Sequence, residues 1–375
     1  MGRRQPFHLL LLILAALSLQ GCAIHARPLP RPVVPQAGQV LDVFYATDRE
    51  RLSARERKCA PGQPGSDFPD FAPKRSLNGQ LSFGAFSIRI PLDHRIGEAL
   101  PNPHRLRCVA TADSNGSFLS GQAFSRQEFF DALSARLSSV QRKEIFVFVH
   151  GYDARFDEAL LWTAQLHSDF EFPGIAVLYS WPSLGHGLRY SADEENAQWS
   201  EPHLKEFLKE LIARCPGASL HLIAHSLGNR ILLQALNSLA TEEPSVGAPQ
   251  FGQVIFAAPD VDVDEFRQLV VPALRTARGI TLYVSSRDRA LVFSGRLHHV
   301  PRAGDSAHDL VIVPGLDTVD ISAVEESHSG HTYLFQNRAV IADISRILND
   351  AAPPGERFGL FSVQLPGGIV WRMRP

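Results

Sequence analysis

From residue 140 onward, apolar and polar positions alternate in blocks. Ile145-Phe-Val-Phe-Val149 is an unbroken run of β-branched and aromatic residues, the pattern of a strand buried on both faces. Phe156 to Ser168 then has helical spacing, and Ile175 to Ser180 is a second buried run. The alternation continues with a helix over Pro202 to Arg214, a strand over Leu220 to Ala224 and a helix over Leu227 to Leu239. A strand follows over Gln253 to Ala257, a helix over Val263 to Leu269 and a strand over Ile280 to Ser285. A short strand, Val319 to Ala323, and a helix, Asn337 to Leu348, close the block. Strands separated by helices imply βαβ units, hence an α/β fold with a mostly parallel sheet and helices on both faces. Upstream, Val40 to Thr47 and Leu81 to Ile90 read as strands, the second stopped by Pro91. Arg126 to Val140 spaces Phe129, Phe130, Leu133 and Leu137 as a helix does. Segments 48–79 and 91–120 are turn-rich and read as irregular excursions. Residues 356–375 carry two short apolar runs around Leu365-Pro-Gly-Gly368, a β-hairpin pattern.

The first residues follow another rule. Arg3 and Arg4 precede the apolar run Leu9 to Leu19. That run is shorter than the roughly 20 residues a membrane span needs, but it suits the apolar core of a secretory signal. Leu19-Gln-Gly-Cys22 then resembles a bacterial lipobox, at which the signal is cut and Cys22 is lipidated. Ala23 stands where an Asp would be, which by resemblance to sorted bacterial lipoproteins favours the outer membrane of a two-membrane cell. Residues 24–39, with Pro28, Pro30, Pro32 and Pro35, prefer an extended conformation of about 3.1 Å per residue and read as a spacer. The expected organisation is a signal peptide over 1–21, a lipidated tether over 22–39, an α/β domain over 40–350 with an irregular N-terminal extension, and a tail over 351–375. The expected location is the extracytoplasmic side of the bacterial envelope.

Composition narrows the function classes. The 375 residues hold 37 Lys+Arg against 39 Asp+Glu, a net charge of −2, without the basic excess of a nucleic-acid binder. With 45% hydrophobic and 20% charged residues the chain is neither disordered nor a coiled coil. Cys59 and Cys108 share the turn-rich N-terminal region of an exported chain, where disulfides persist, and are expected to pair. Closing that loop adds roughly 4 kcal/mol in the chain-entropy model. Cys215, before Pro216-Gly217, reads as a buried free thiol. No cysteine pair has zinc spacing, and no metal is assigned.

The chemistry centres on Leu220-His-Leu-Ile-Ala-His-Ser-Leu-Gly-Asn229, an apolar strand running into Ala224-His225-Ser226-Leu227-Gly228 and then a helix. This is the nucleophile-elbow pattern, with Ala in place of the first Gly. The tight turn needs small flanking residues, lifts the Ser226 hydroxyl off the sheet and sets unpaired helix N–H groups behind it. Val147-Phe-Val-His-Gly-Tyr152 ends another buried strand, so the backbone N–H groups of Tyr152 and Leu227 are candidate oxyanion donors. A serine hydroxyl needs a base to take its proton. In this order of elements an acid and then a His follow the Ser. The acid candidates are Asp288, after the penultimate strand, and Asp260, although Asp260, Asp262 and Asp264 also look like a helix-cap cluster. Among His298, His299, His308, His328 and His331, only the last two sit between the short strand and the closing helix. His331 sits after Gly330, whose backbone freedom would let the ring swing towards Ser226.

Over residues 40–345 the chain resembles an α/β-hydrolase of the bacterial esterase/lipase-like group that carries a domain of unknown function. The resemblance rests on Tyr45-Ala-Thr-Asp-Arg49, Val149-His-Gly-Tyr152, Tyr179-Ser-Trp-Pro-Ser183 and Ala224-His-Ser-Leu-Gly-Asn229. It rests also on Ala258-Pro-Asp260, Ser286-Arg-Asp288 and Gly330-His-Thr-Tyr333. It implies Ser226, Asp288 and His331 as a triad and no cofactor. The expectation is a lipid-anchored serine hydrolase that cleaves an ester or thioester of a small-molecule or lipid acyl substrate through an acyl-enzyme. An acyltransferase with the same triad, or an inactive hydrolase fold serving as an envelope scaffold, are the alternatives. Trp181, Tyr152 and Phe156 are candidate walls of the acyl pocket, and Pro182 to Pro202 its candidate cover.

Overall fold

Continuous apolar runs need apolar cover on both sides, and the computed structural model supplies it. It describes residues 38–57, 59, 63, 65–100, 117–184, 189–242, 249–325 and 329–375. The strands are β1 (Gln39–Thr47), β2 (Arg49–Arg51), β3 (Phe71–Arg75), β4 (Ser82–Ile90), β5 (Ser117–Phe124), β6 (Glu144–Val149) and β7 (Ile175–Ser180). After them come β8 (Ser219–His225), β9 (Phe251–Ala257), β10 (Ala277–Val284), β11 (Asp317–Asp320), β12 (Leu360–Leu365) and β13 (Gly368–Met373). The helices are α1 (Arg126–Ser139), α2 (Phe156–Asp169), α3 (Tyr190–Arg214), α4 (Gly228–Glu242), α5 (Val263–Ala273), α6 (Arg289–His298), α7 (Tyr333–Gln336) and α8 (Arg338–Asp350).

Eleven strands form one sheet in the order β12-β13-β11-β10-β9-β8-β6-β7-β1-β4-β5. From β13 through β1 the neighbours are parallel, while β12, β4 and β5 run antiparallel at the two edges. The period of two along β6 divides the core. Ile145, Val147 and Val149 face one way, towards α1, α3, α4 and α5; Phe146 and Phe148 face the other, towards α2, α7 and α8. Full burial of each such side chain is worth about 1.5–3 kcal/mol. This is the α/β architecture expected from the sequence.

Five expectations need correcting. The helix expected from Pro202 begins twelve residues earlier, at Tyr190, and Pro202 lies inside it. Its first turns are held by tertiary bonds: Asp193 accepts from the Ser183 hydroxyl (2.6 Å) and the Leu184 N–H (2.8 Å), and Asn196 donates to the Pro182 carbonyl (2.9 Å). Much of the expected cover over 182–202 is therefore helix rather than loop. Helix α6 was not expected, nor was edge strand β5, and segment 48–79 contains the short β2–β3 pairing. The C-terminal hairpin does form, and β13 extends the main sheet beside β11.

Candidate active site

Strand β8 runs straight into Ser226, whose φ of 53° lies in the left-handed region. That conformation costs a residue with a Cβ about 1–3 kcal/mol and persists only where neighbours over-determine it. Here the Ser226 N–H donates to the Ala257 carbonyl (3.0 Å). The Asn229 amide donates to both the Ser226 (2.8 Å) and Ala257 (2.9 Å) carbonyls. The turn sets Ser226 in the wall of a cavity of about 450 Å³, with the first residue of α4 two positions on.

Asp288 follows β10 and holds two partners at once. One carboxylate oxygen caps α6 by accepting the Leu291 N–H (3.0 Å); the other lies 2.7 Å from His331 Nδ1. With Nδ1–H donating to the carboxylate, Nε2 of His331 is the ring's proton acceptor. Burial alone would lower the His331 pKa. The charge of Asp288 and its hydrogen bond, helped by Asp260 and Glu325, outweigh burial, and the net shift is upward. Gly330, at φ 69°, lets the chain enter this position, since a Cβ there would overlap the Arg287 carbonyl. His225 donates from Nε2 to the His331 carbonyl (2.9 Å). Burial and the neighbouring His331 hold His225 at a pKa of about 3, so it stays neutral. His331, His225 and Ser226 all line the same cavity.

The competing residues have other employment. Asp260 reaches the cavity wall, but its carboxylate accepts from the Tyr190 hydroxyl (2.6 Å), the Ser294 hydroxyl (2.6 Å) and Arg302 Nε (2.8 Å). Asp262 is the cap of α5, accepting from the Asp264 and Glu265 N–H groups. His298 lies against Glu194, His308 against Asp305, and His299 is the left-handed C-cap of α6. His328 lies outside the described residues, as do Cys22 and Cys108. Cys59 is buried and disulfide-bonded, and Cys215 is a buried free thiol whose pKa burial pushes up to about 11.

Tyr152 lines the cavity, and Leu227 is fully buried next to Ser226. Trp181 and Phe156 are corrections. Trp181 is 0% exposed because it stacks on the His150 ring and its Nε1 donates to the His150 carbonyl (2.7 Å). Phe156 packs against Tyr45 and Phe71 in the core. The apolar lining is instead Trp162 and Phe335, which pack together, with Ala290, Phe293 and Leu297 of α6.

Sequence reasoning also missed the supports. The Tyr333 hydroxyl accepts the Ala258 N–H (2.6 Å) and donates to the Tyr283 carbonyl (2.9 Å), tying the loop that carries His331 to the ends of β9 and β10. Asn229 and Tyr333 stand inside the motifs quoted above, but nothing local in those motifs told what they would bind.

The family model described as an alpha/beta hydrolase of unknown function (DUF900) matches residues 125–349. No curated protein matches the chain significantly. Among solved structures it is similar to an esterase of Pyrococcus furiosus, with 10% identity over 56% of this chain and 82% of that one and a TM-score of 0.31. It is also similar to phospholipase PlaB of Legionella pneumophila, with 10% identity over 62% and 68% of the two chains and a TM-score of 0.32. A PlaB complex with thio-NAD aligns at 12% identity over 62% and 67%, with a TM-score of 0.30.

Proposed function

The chain belongs to the α/β hydrolases of unknown function, and on that premise we propose that it is a serine hydrolase cleaving carboxylic esters or thioesters through an acyl-enzyme on Ser226. The observation that carries this reading is the 2.7 Å Asp288–His331 contact on the wall of the cavity that holds the strained Ser226. Ser226 Oγ attacks the acyl carbon while its proton passes to His331 Nε2, and Asp288 stabilises the imidazolium. The negative charge that develops on the carbonyl oxygen is met by the Tyr152 and Leu227 N–H groups. Collapse of the adduct expels the alcohol or thiol, which takes the proton from His331, and water then releases the acid by the same steps in reverse order. The acyl chain lies along the apolar wall of Ala290, Phe293 and Leu297. A fluorophosphonate probe should label the folded wild type and not Ser226→Ala. Absence of labelling in the folded wild type would instead favour a scaffold.

The same reading takes Cys22 as a lipidated N-terminus that tethers the domain to the extracytoplasmic face of a bacterial membrane. Its support is the lipobox pattern Leu19-Gln-Gly-Cys22. Among the described residues no helix is long and apolar enough to cross a membrane. Mass spectrometry of the membrane-extracted protein should find a diacylglyceryl adduct on Cys22, and a Cys22→Ser protein that still partitions into membranes unchanged would refute the anchor. Cys59 is taken to pair with Cys108, which non-reducing peptide mapping would test.

A further inference from the structure

Three sequence motifs, one of them carrying the Tyr152 N–H, meet at one point. β1 pairs in parallel with β7, Thr47 opposite Ser180, and β7 with β6, Tyr179 opposite Val149. The segments Tyr45 to Arg49, Tyr179 to Ser183 and Val149 to Tyr152 therefore leave the sheet side by side at the end that carries Ser226.

Arg49 joins them. It is 1% exposed, and its guanidinium spans the loop from both ends. Nε donates to Ser180 Oγ (2.9 Å) and Nη1 to the Ser183 carbonyl (3.0 Å). Nη2 donates to the Ala154 carbonyl (2.8 Å) and lies 3.3 Å from His150 Nε2. These partners are all neutral. The carboxylates of Asp48, Asp193, Asp157 and Glu158 favour the guanidinium's charge from a distance, but burial outweighs them and lowers its pKa to about 10, so the cation is costly to place. Such a cost is met where the cation fixes geometry that nothing else would fix, and residues 150–154 have no regular secondary structure of their own.

The network settles which way one peptide faces. Arg49 can only donate, so His150 Nε2 must accept, from Arg49 and from the Ser180 hydroxyl (3.1 Å). His150 Nδ1 then carries the proton and donates to the Gly151 carbonyl (2.8 Å). Burial and the charge of Arg49 hold the His150 pKa well below its ordinary value, in keeping with a neutral ring. The Gly151 carbonyl and the Tyr152 N–H belong to one trans peptide unit, so they point in opposite directions. Tethering the carbonyl to His150 turns the Tyr152 N–H to the other side. Gly151 itself abuts Ser226, for a Cβ built on it would come within 2.8 Å of Ser226 Cβ.

We propose that Arg49, acting through His150, is the positioning residue that aims the Tyr152 N–H at the acyl oxygen bound by Ser226. This rests on the serine-hydrolase reading above and assigns to that site the element that orders its oxyanion donor. Removing one such donor typically costs about 10²–10³ in kcat, and misaiming one should cost less.

The test uses p-nitrophenyl butyrate turnover by the wild type, Arg49→Met, Arg49→Lys, Ser180→Ala and Ser226→Ala, with circular dichroism as the check on folding. Arg49→Met should lower kcat by about 10–100-fold with KM within about threefold, since the interaction acts in the transition state. The affinity of an alkylboronic acid, which forms a tetrahedral adduct on the serine, should fall by the same factor as kcat/KM. Lys keeps the charge without the fork, so Arg49→Lys should recover only part of the loss, and Ser180→Ala should fall between it and the wild type. If Arg49→Met does not fold, the Lys and Ser180→Ala variants carry the test. Wild-type kcat and boronate affinity in folded Arg49 variants would overturn this proposal while leaving the serine reading intact. A wild type without turnover, or Ser226→Ala with full turnover, would overturn that reading and this proposal with it.

Discussion

Helix α6 presents Ala290, Phe293 and Leu297, positions i, i+3 and i+7, to the cavity beside Ser226, with Phe293 68% and Leu297 52% exposed. Apolar side chains on the open face of a helix have no packing explanation, whereas an acyl chain laid along them would be partly dried. From Ala290 to Leu297 the helix rises about 10 Å, enough for a chain of medium length. A fully buried methylene is worth about 0.8 kcal/mol, and a wall that covers only one side yields about half of that. Each methylene should then raise kcat/KM about twofold, since 0.4 kcal/mol is about 0.3 of a decade. Over the six methylenes between acetate and octanoate the gain is roughly 2.4 kcal/mol, or about 60-fold. Substituting Phe293→Ser and Leu297→Ser together should flatten that ratio to below about fivefold, without moving the thermal midpoint, because both side chains are exposed. The assay is kcat/KM for p-nitrophenyl acetate, butyrate, hexanoate and octanoate, each below its micellar concentration. A wild type indifferent to chain length, or a double variant with the wild-type slope, would refute the reasoning. A change in sedimentation with no change in slope would make the stripe a contact between copies of the chain.

His331 must be neutral to accept a proton and its pKa is raised, so kcat/KM should fall on the acid side at a pH above the ordinary histidine value of 6.5. Asp288→Asn removes the main raising influence while burial remains, so the acid limb should move to lower pH as the plateau drops by about 10⁴. Burial keeps His167 and His221 neutral down to about pH 4 and His225 down to about pH 3, against 6.5 for each when unfolded. Below pH 6.5 the unfolded chain therefore binds more protons than the native one, and stability should fall by about 2 kcal/mol per ring by pH 5, read as a lower thermal midpoint than at pH 7.5. An unchanged midpoint over that range would contradict the burial argument. Tyr333→Phe leaves the Tyr283 carbonyl without its hydroxyl donor and removes an acceptor from the Ala258 N–H. It should cost about 1–3 kcal/mol in denaturant unfolding.

What could be read in the sequence was what short-range pattern controls. β6, β7 and β8 are continuous apolar runs because both faces are covered, and the elbow at Ser226 is spelled by small neighbours within five residues. Chain order, a topological rule rather than a local one, narrowed the acid to Asp288 or Asp260 and the base to His328 or His331; the family resemblance implied Asp288 and His331, which lie 2.7 Å apart. The misses share a cause, namely that the deciding partner was distant in the chain. A proline normally marks a helix boundary, yet α3 passes through Pro202 because Asp193 and Asn196 are fixed by the 182–184 segment. Helix α6 has only Leu291 and Ser294 buried, so its apolar residues do not form the inward stripe by which a helix is recognised. The same misplaced residues mark where the cavity is. Trp181, inside the Tyr179–Ser183 motif, reads as a candidate pocket wall, but its N–H is spent on the His150 carbonyl, which makes it part of the support beneath the loop rather than of the surface above it. Apolar residues that a fold leaves in water beside a strained serine are better guides to the substrate than aromatics that the fold has already buried.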